Sequence, residues 1–258
     1  MSQFNLTDKV AIITGGRRGI GKAIALAFAE AGADIAVCDR NIEDGKLAAV
    51  EEEIKTLGRH SLAIATDVRS PEQVDNLVKQ TVDKFGRVDI LVNNAGGSFE
   101  CPMEEMTSNS WDRLINLDLN GTFLCCKAAG MVMIQQKKGK IINISSVAGL
   151  NGSPTMAHYG AAKAGVINFT KSLALEWAQY NINVNCIAPG PIDTEGVRGA
   201  HRNLTPEQFE ERKRAITRAV PLGRYGQPED IAYPAIFLAS EASSFITGET
   251  IIVSGGRR

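Results

Sequence analysis

Short apolar runs rich in valine and isoleucine alternate along this chain with longer stretches whose apolar positions recur every three to four residues. Seven runs stand out: Val10–Ile13, Ile35–Cys38, Ser61–Ala65, Val88–Val92, Ile141–Ile144, Ile182–Ile187 and Thr250–Val253. They are mostly continuous rather than alternating, as in strands covered on both faces. Ile20, Ala23, Ile24, Ala27 and Phe28 form one apolar stripe at helical spacing. Strand–helix alternation predicts an α/β fold: a single Rossmann-like doubly wound domain over residues 1–258, with a seven-stranded parallel sheet and helices on both faces. Ligands then bind beyond the carboxyl ends of the strands. No repeat, low-complexity tract or linker interrupts the pattern.

Composition changes little in this picture but removes several function classes. The net charge is −1, with 44% apolar and 22% charged residues, so no bulk field draws nucleic acid or an anionic membrane. Asp8 and Lys9 fall where a signal peptide needs an apolar core, and apolar stretches look far shorter than the roughly 20 residues of a membrane span. The five cysteines, Cys38, Cys101, Cys125, Cys126 and Cys186, show neither disulfide-framework nor metal-knuckle spacing. No metal site is expected, and a reducing cytoplasm is the expected location.

The first strand runs into Thr14-Gly15-Gly16-Arg17-Arg18-Gly19-Ile20-Gly21. Glycines permit a tight turn and let backbone N–H groups approach a pyrophosphate at a helix N-terminus. Asp39 follows Gly19 by 20 residues and ends the second strand, where a carboxylate can bind the adenosine ribose hydroxyls and repel a 2′-phosphate. NAD(H) is therefore favoured. Arg17, Arg18 and Arg40 keep NADP(H) as the alternative, since arginine beside the ribose accepts a phosphate. Gly16-x4-Gly21-Lys22 approaches a triphosphate-binding loop, but Ala23 lacks the hydroxyl that would hold magnesium.

Ser153-Pro154 reads as a helix start. Tyr159 and Lys163 then lie one turn apart on one helix face. A free phenol ionises near pH 10, too high for a base at neutral pH, and a neighbouring ammonium is expected to lower that value. Tyr159 can then trade a proton with a substrate hydroxyl. Ser146, just past the strand ending at Ile144, can bind and polarise the substrate oxygen.

In these motifs the chain resembles the short-chain dehydrogenase/reductase family over nearly its whole length: Thr14-Gly15-x3-Gly19-x-Gly21, Asp67-Val68, Asn93-Asn94-Ala95-Gly96, Ser146, Tyr159-x3-Lys163 and Pro189-Gly190. The resemblance implies hydride transfer between a nicotinamide cofactor and a secondary alcohol or ketone. Tyr159 is then the acid–base, Lys163 its pKa modulator and a ligand of the nicotinamide ribose, and Ser146 the substrate-orienting hydroxyl. It implies a cofactor site of Gly15, Arg18, Gly19, Ile20, Gly21, Asp39, Arg40, Asp67, Val68, Asn94, Ala95, Gly96, Tyr159, Lys163, Pro189, Gly190, Ile192 and Thr194. Within that set Asp67 goes to the adenine, Asn94 to the central sheet, and Ile192 and Thr194 to the carboxamide. The family's catalytic asparagine is replaced by Asp118, as aligned on Trp111-Asp112 and Gly121-Thr122-Phe123. Asn120, two residues on, is turned about 200° away on a helix. Asp118 joins the expected catalytic set as holder of a relay water that passes protons from Lys163 to solvent.

Residues 194–221 look irregular, and the resemblance makes them a substrate lid. They carry Arg198, His201, Arg202, Arg212, Arg214 and Arg218, interleaved with Glu195, Glu207, Glu210 and Glu211, which reads as a solvated charged surface. Apolar faces in Trp111–Gln136 and Thr155–Ala178 exceed what one core needs, and the resemblance, in which these helices pair between subunits and the C-terminal strand adds a second contact, implies a homotetramer. The substrate is a small alcohol or ketone, with a 3-oxoacyl-thioester reductase as one alternative and a non-catalytic nucleotide sensor as another.

Overall fold

A computed structural model describes residues 4–200 and 204–257. Seven strands form one sheet: β1 (Val10–Thr14), β2 (Asp34–Asp39), β3 (Ser61–Ala65), β4 (Ile90–Asn93), β5 (Gly139–Ile144), β6 (Ile182–Pro189) and β7 (Thr250–Val253). Their order is β3-β2-β1-β4-β5-β6-β7, and every neighbouring pair is parallel. The expected fold class holds. The strand bounds move by a few residues: β4 begins at Ile90 rather than Val88, and takes in Asn93, one residue past the expected run.

The continuous apolar runs have a direct cause in the layers. Ala11 and Ile13 of β1 face a core with Ile24 and Phe28 of α1 (Gly19–Glu30), Leu47, Val50 and Ile54 of α2 (Lys46–Thr56), and Ile231 and Leu238 of α9 (Pro228–Ala239). Ile12 between them faces a second core with Val74 and Leu77 of α3 (Pro71–Phe85), Cys125 and Met133 of α5 (Gly121–Gln136), and Leu173 and Trp177 of α6 (Ala157–Trp177). Both faces are covered, so no strand position in β1 needs to be polar. The chain turns back between β1 and β4, and that reversal opens a crevice at the carboxyl ends of the strands.

Three expectations are corrected. The helix carrying Tyr159 does not begin at Ser153-Pro154; it begins at Ala157, because Thr155 adopts the left-handed region (φ 61°) and breaks the helical path. Residues 194–221 are not chiefly irregular: α7 (Glu195–Ala200) and α8 (Pro206–Arg218) occupy most of them, and Thr205 and Gln208 form a capping box at α8. His201 and Arg202 lie outside the described residues. Finally, α4 (Ser108–Ile115), a five-residue π turn (Asn116–Asn120) and α5 join into one helical stretch, Ser108–Gln136, long and apolar enough by composition to cross a membrane (mean hydropathy 1.3). Its buried residues, among them Cys125, Cys126, Ala129 and Met133, belong to the second core, so it is a core helix of this sheet.

Candidate active site

The crevice begins at the β1–β4 boundary. Thr14 donates its hydroxyl to Val92 O (3.3 Å) and accepts from the N–H groups of Asn94 (3.0 Å) and Ala95 (2.9 Å). The Asn94 amide in turn donates to Thr14 O (3.0 Å) and Gly15 O (3.1 Å). This clasp holds the glycine turn against the loop after β4. The approach is close: a Cβ on Gly15 (φ 65°) would stand 2.9 Å from Ala95 Cα, and one on Gly21 would stand 2.3 Å from Gly15 O. Only glycine fits either position.

Gly15, Arg18, Gly19, Ile20, Asp39, Arg40, Asp67, Val68, Asn94, Ala95, Gly96 and Thr194 line one cavity of about 320 Å³. Gly21 packs beneath the turn rather than lining the cavity. Pro189, Gly190, Ile192, Ser146, Tyr159, Lys163 and Asp118 line an adjoining cavity of about 710 Å³. The two share Arg18, Ile20, Arg40, Asn94, Gly96 and Thr194, so they form one crevice. A dinucleotide fits the first part chemically. No side chain caps the N–H groups at the start of α1, glycines leave room for phosphates, and Asp39 stands at the end of β2. Asp39 accepts from Asn41 N–H (3.0 Å) and faces Arg17 Nε at 3.5 Å; Arg17 also pairs with Asp44. Asp67 is held by Arg69, whose Nε donates at 2.9 Å, and this pairing keeps the Asp67 carboxyl below its ordinary range.

The second part gathers the acid–base groups. Tyr159 sits in the first turn of α6, half-buried, and Lys163 follows one turn on, its Nζ 5.7 Å from the Tyr159 ring centroid. Ser146 lies two residues past β5 and accepts from Ala148 N–H at 3.1 Å. Ser145 contributes something the sequence did not reveal: its hydroxyl donates to Lys163 O (2.8 Å) and pins α6 to the end of β5. Lys163 donates to Ile144 O (3.0 Å) and meets Asp118 Oδ1 at 2.8 Å.

Asp118 is fully buried inside the π turn, where Thr122 donates to its backbone O at 2.9 Å and Gly97 N–H approaches its carboxylate at 3.3 Å. Asn120 is exposed and bonds Asn116, so it does face elsewhere. The contact between Asp118 and Lys163 is direct. A Cβ on Gly96 would fall 2.6 Å from Asp118 Oδ1, so the loop after β4 must be bare there.

Lys163 pulls on the phenol in the expected direction but is outweighed by burial. Burial pushes Tyr159 up; Lys163 pulls it down, Asp118 pushes it up again, and a hydrogen bond with Ser146 pulls it down, for a net rise. Two further groups could not be found by motif. His158 is fully buried beside Tyr159, edge-on to Phe99 (centroids 4.5 Å apart), and Arg113 covers the Phe99 ring at 5.7 Å. At the lid, three cations meet carboxylates: Arg198 and Lys213 pair with Asp193, and Arg212 with Glu100.

Residues 15–258 match the family model described as Enoyl-(Acyl carrier protein) reductase. The chain is 45% identical over 254 residues to a 3-oxoacyl-[acyl-carrier-protein] reductase of Synechocystis, covering 97% of each chain. It is 40% identical to a (2S)-[(R)-hydroxy(phenyl)methyl]succinyl-CoA dehydrogenase subunit of Thauera aromatica, covering 98% of each. Among solved structures, Levodione Reductase superposes with a TM-score of 0.93 at 31% identity, covering 98% of each chain. A short-chain type dehydrogenase/reductase from Mycobacterium marinum superposes with a TM-score of 0.91 at 37% identity, covering 99% of this chain and 97% of that one. With the family model matching residues 15–258 and these relatives matched over nearly the full chain, this chain belongs to the short-chain dehydrogenase/reductase family of oxidoreductases.

Proposed function

We propose that this protein reduces the 3-oxo group of an acyl thioester to a secondary alcohol, with Tyr159 as the proton donor. The convergence of Ser146, Tyr159 and Lys163 on one crevice that continues to Asp39 carries the reading. When bound, a nicotinamide cofactor supplies the hydride. The Ser146 hydroxyl donates to the substrate carbonyl oxygen and polarises it. Tyr159 hands its proton to that oxygen as negative charge develops there. Lys163, fixed by Ile144 O and Asp118, sets the field at the phenol and offers its ammonium to the cofactor ribose. Asp118 touches neither substrate nor phenol; it acts through Lys163 as a positioning residue.

The thioester is favoured by relatives named 3-oxoacyl-[acyl-carrier-protein] reductase at 42–45% identity. It is also favoured by Arg113 in the cavity wall, which suits a phosphate-bearing carrier. A simple ketone is the second reading, since Arg198, Lys213 and Arg212 of the lid are held by carboxylates. A non-catalytic sensor has no use for Ser146, Tyr159 and Lys163 arranged in this way. For the cofactor we favour NAD(H) over NADP(H), because Asp39 lies at the ribose end and Arg17 is already engaged by two carboxylates.

The whole chain then acts as one catalytic domain, with 194–221 as the substrate lid. The exposed Phe123, Met131 and Leu175 on α5 and α6, and Phe245 and Ile252 near and on β7, support a homotetramer. Five free cysteines suit a cytoplasmic location.

The test is a panel of 3-oxoacyl thioesters, ketones and polyols, followed with NADH and NADPH in parallel. Thioesters should exceed simple ketones in kcat/KM by at least about tenfold, a difference of about 1.4 kcal/mol. Tyr159→Phe should lower kcat by about 10²- to 10⁴-fold and leave cofactor binding by fluorescence unchanged. Retained turnover would remove Tyr159 from the mechanism.

A further inference from the structure

The family position that normally carries an amide carries a carboxylate here, and the carboxylate is in direct contact with the ammonium of Lys163 (2.8 Å). Neither side chain is more than 6% exposed. Whichever of the two holds the shared proton, the Asp118–Lys163 pair has no net charge. An amide in the same place would leave the pair at +1. The Tyr159 ring centroid is 5.7 Å from Lys163 Nζ, within the range where a net charge decides how readily a phenol ionises.

The other groups around the phenol do not replace this influence. From the end of β5 comes the neutral Ser146 hydroxyl. From α6 comes His158, whose imidazole is pushed down by burial and held neutral. From β6 comes Cys186, whose thiol is pushed up to about 11 and faces Lys163. Arg18 and Arg40 line the same cavity at the cofactor end, and Arg113 of α4 lies over Phe99. Among the described residues lining that cavity, Asp118 is the single carboxylate.

We propose that Asp118 cancels the charge of Lys163 and so keeps Tyr159 protonated through neutral and mildly alkaline pH, setting this site as a proton donor for carbonyl reduction. In the reverse direction Tyr159 must act as a base, so alcohol oxidation needs more alkaline conditions than it would with an amide at position 118. Burial, which raises the phenol, then meets a Lys163 pull that Asp118 offsets. The inference rests on Tyr159 as the proton-transfer group.

The decisive measurement is the pH profile of reductive kcat at saturating cofactor, for the unaltered protein and for Asp118→Asn. Protonated Tyr159 is the active form in reduction, so the rate falls as pH rises through its ionisation. With an unopposed ammonium, that fall should move to lower pH by about one unit or more, and the rise of the oxidative rate should move with it. Asp118→Ser is a second neutral variant should the amide fold poorly, as judged by its melting temperature. Ultraviolet difference titration against Tyr159→Phe, without cofactor, reads the same ionisation where turnover is lost. Profiles and titrations that superimpose, or move to higher pH, overturn the inference. An inactive Tyr159→Phe with unmoved Asp118 profiles would sink only this inference, whereas an active Tyr159→Phe would sink the proposed function as well.

Discussion

At the scale of single residues, the cofactor end turns on Asp39 and its neighbours. One carboxylate oxygen accepts from the Asn41 N–H, and Arg17 lies beside it while also gripping Asp44. If Asp39 bonds the ribose hydroxyls and repels a 2′-phosphate, Asp39→Ala should weaken NADH use and release Arg17 for a phosphate. The ratio of kcat/KM with NADH to that with NADPH should fall at least about tenfold, read from initial rates with each cofactor; an unchanged ratio would assign the choice elsewhere. The places of Asp39, Ser146, Tyr159 and Lys163 along the crevice were legible in the sequence, because each sits at a fixed distance from a strand end or along a helix. Ser145, Gly97 and His158 were not. Their roles depend on contacts with Lys163 O, the Asp118 carboxylate and Phe99, which are distant in the chain and come together only through folding.

At the scale of elements, two irregularities shape the site. The π turn at Asn116–Asn120 adds a residue to the helical path, and Asp118 lies within it, aimed at Lys163. Leu117 beside it packs into the second core, and Leu119 packs against Val166 and Ile167 of α6, so both neighbours anchor the turn. The other irregularity is the entry to α6. Thr155 occupies the left-handed region at φ 61°, where a β-branched side chain is strained, while its carbonyl accepts from Cys101 N–H at 2.8 Å. Thr155→Gly keeps that backbone bond and relieves the strain. It should stabilise the protein by about 1 kcal/mol and raise Tm by roughly 2–4 °C in a melt followed by circular dichroism. A lower Tm would mean that Thr155 is not strained. Neither irregularity was legible beforehand. Ser153-Pro154 carried a proper helix-start signature that Thr155 overrode, and Asn116–Asn120 reads as ordinary amphipathic helix.

At the scale of the whole molecule, the two cores account for most of the apolar side chains and leave a set of large ones outside. Leu175 is 83% exposed on α6, Tyr233 is 66% exposed on α9, and Phe245 before β7 is fully exposed. Side chains of this size on adjoining helix and strand faces suit subunit contacts. Sedimentation velocity should give a mass four times that of the chain, and Leu175→Glu should shift the population toward smaller species. A monomer in the unaltered protein would contradict the assembly. The seven-stranded parallel sheet was determined by the sequence alone, since continuous apolar strands separated by amphipathic helices bury both sheet faces in one economical way. So was the order of glycine turn, serine and Tyr–Lys helix. Tertiary structure decided the rest: that Asp118 meets Lys163 directly, that Arg17 is drawn to two carboxylates, and that the net pull on the Tyr159 phenol is upward. Spacing along a chain fixes which face of an element a side chain occupies. The charge it feels is set by groups that folding brings within a few ångströms, and by how much water folding removes.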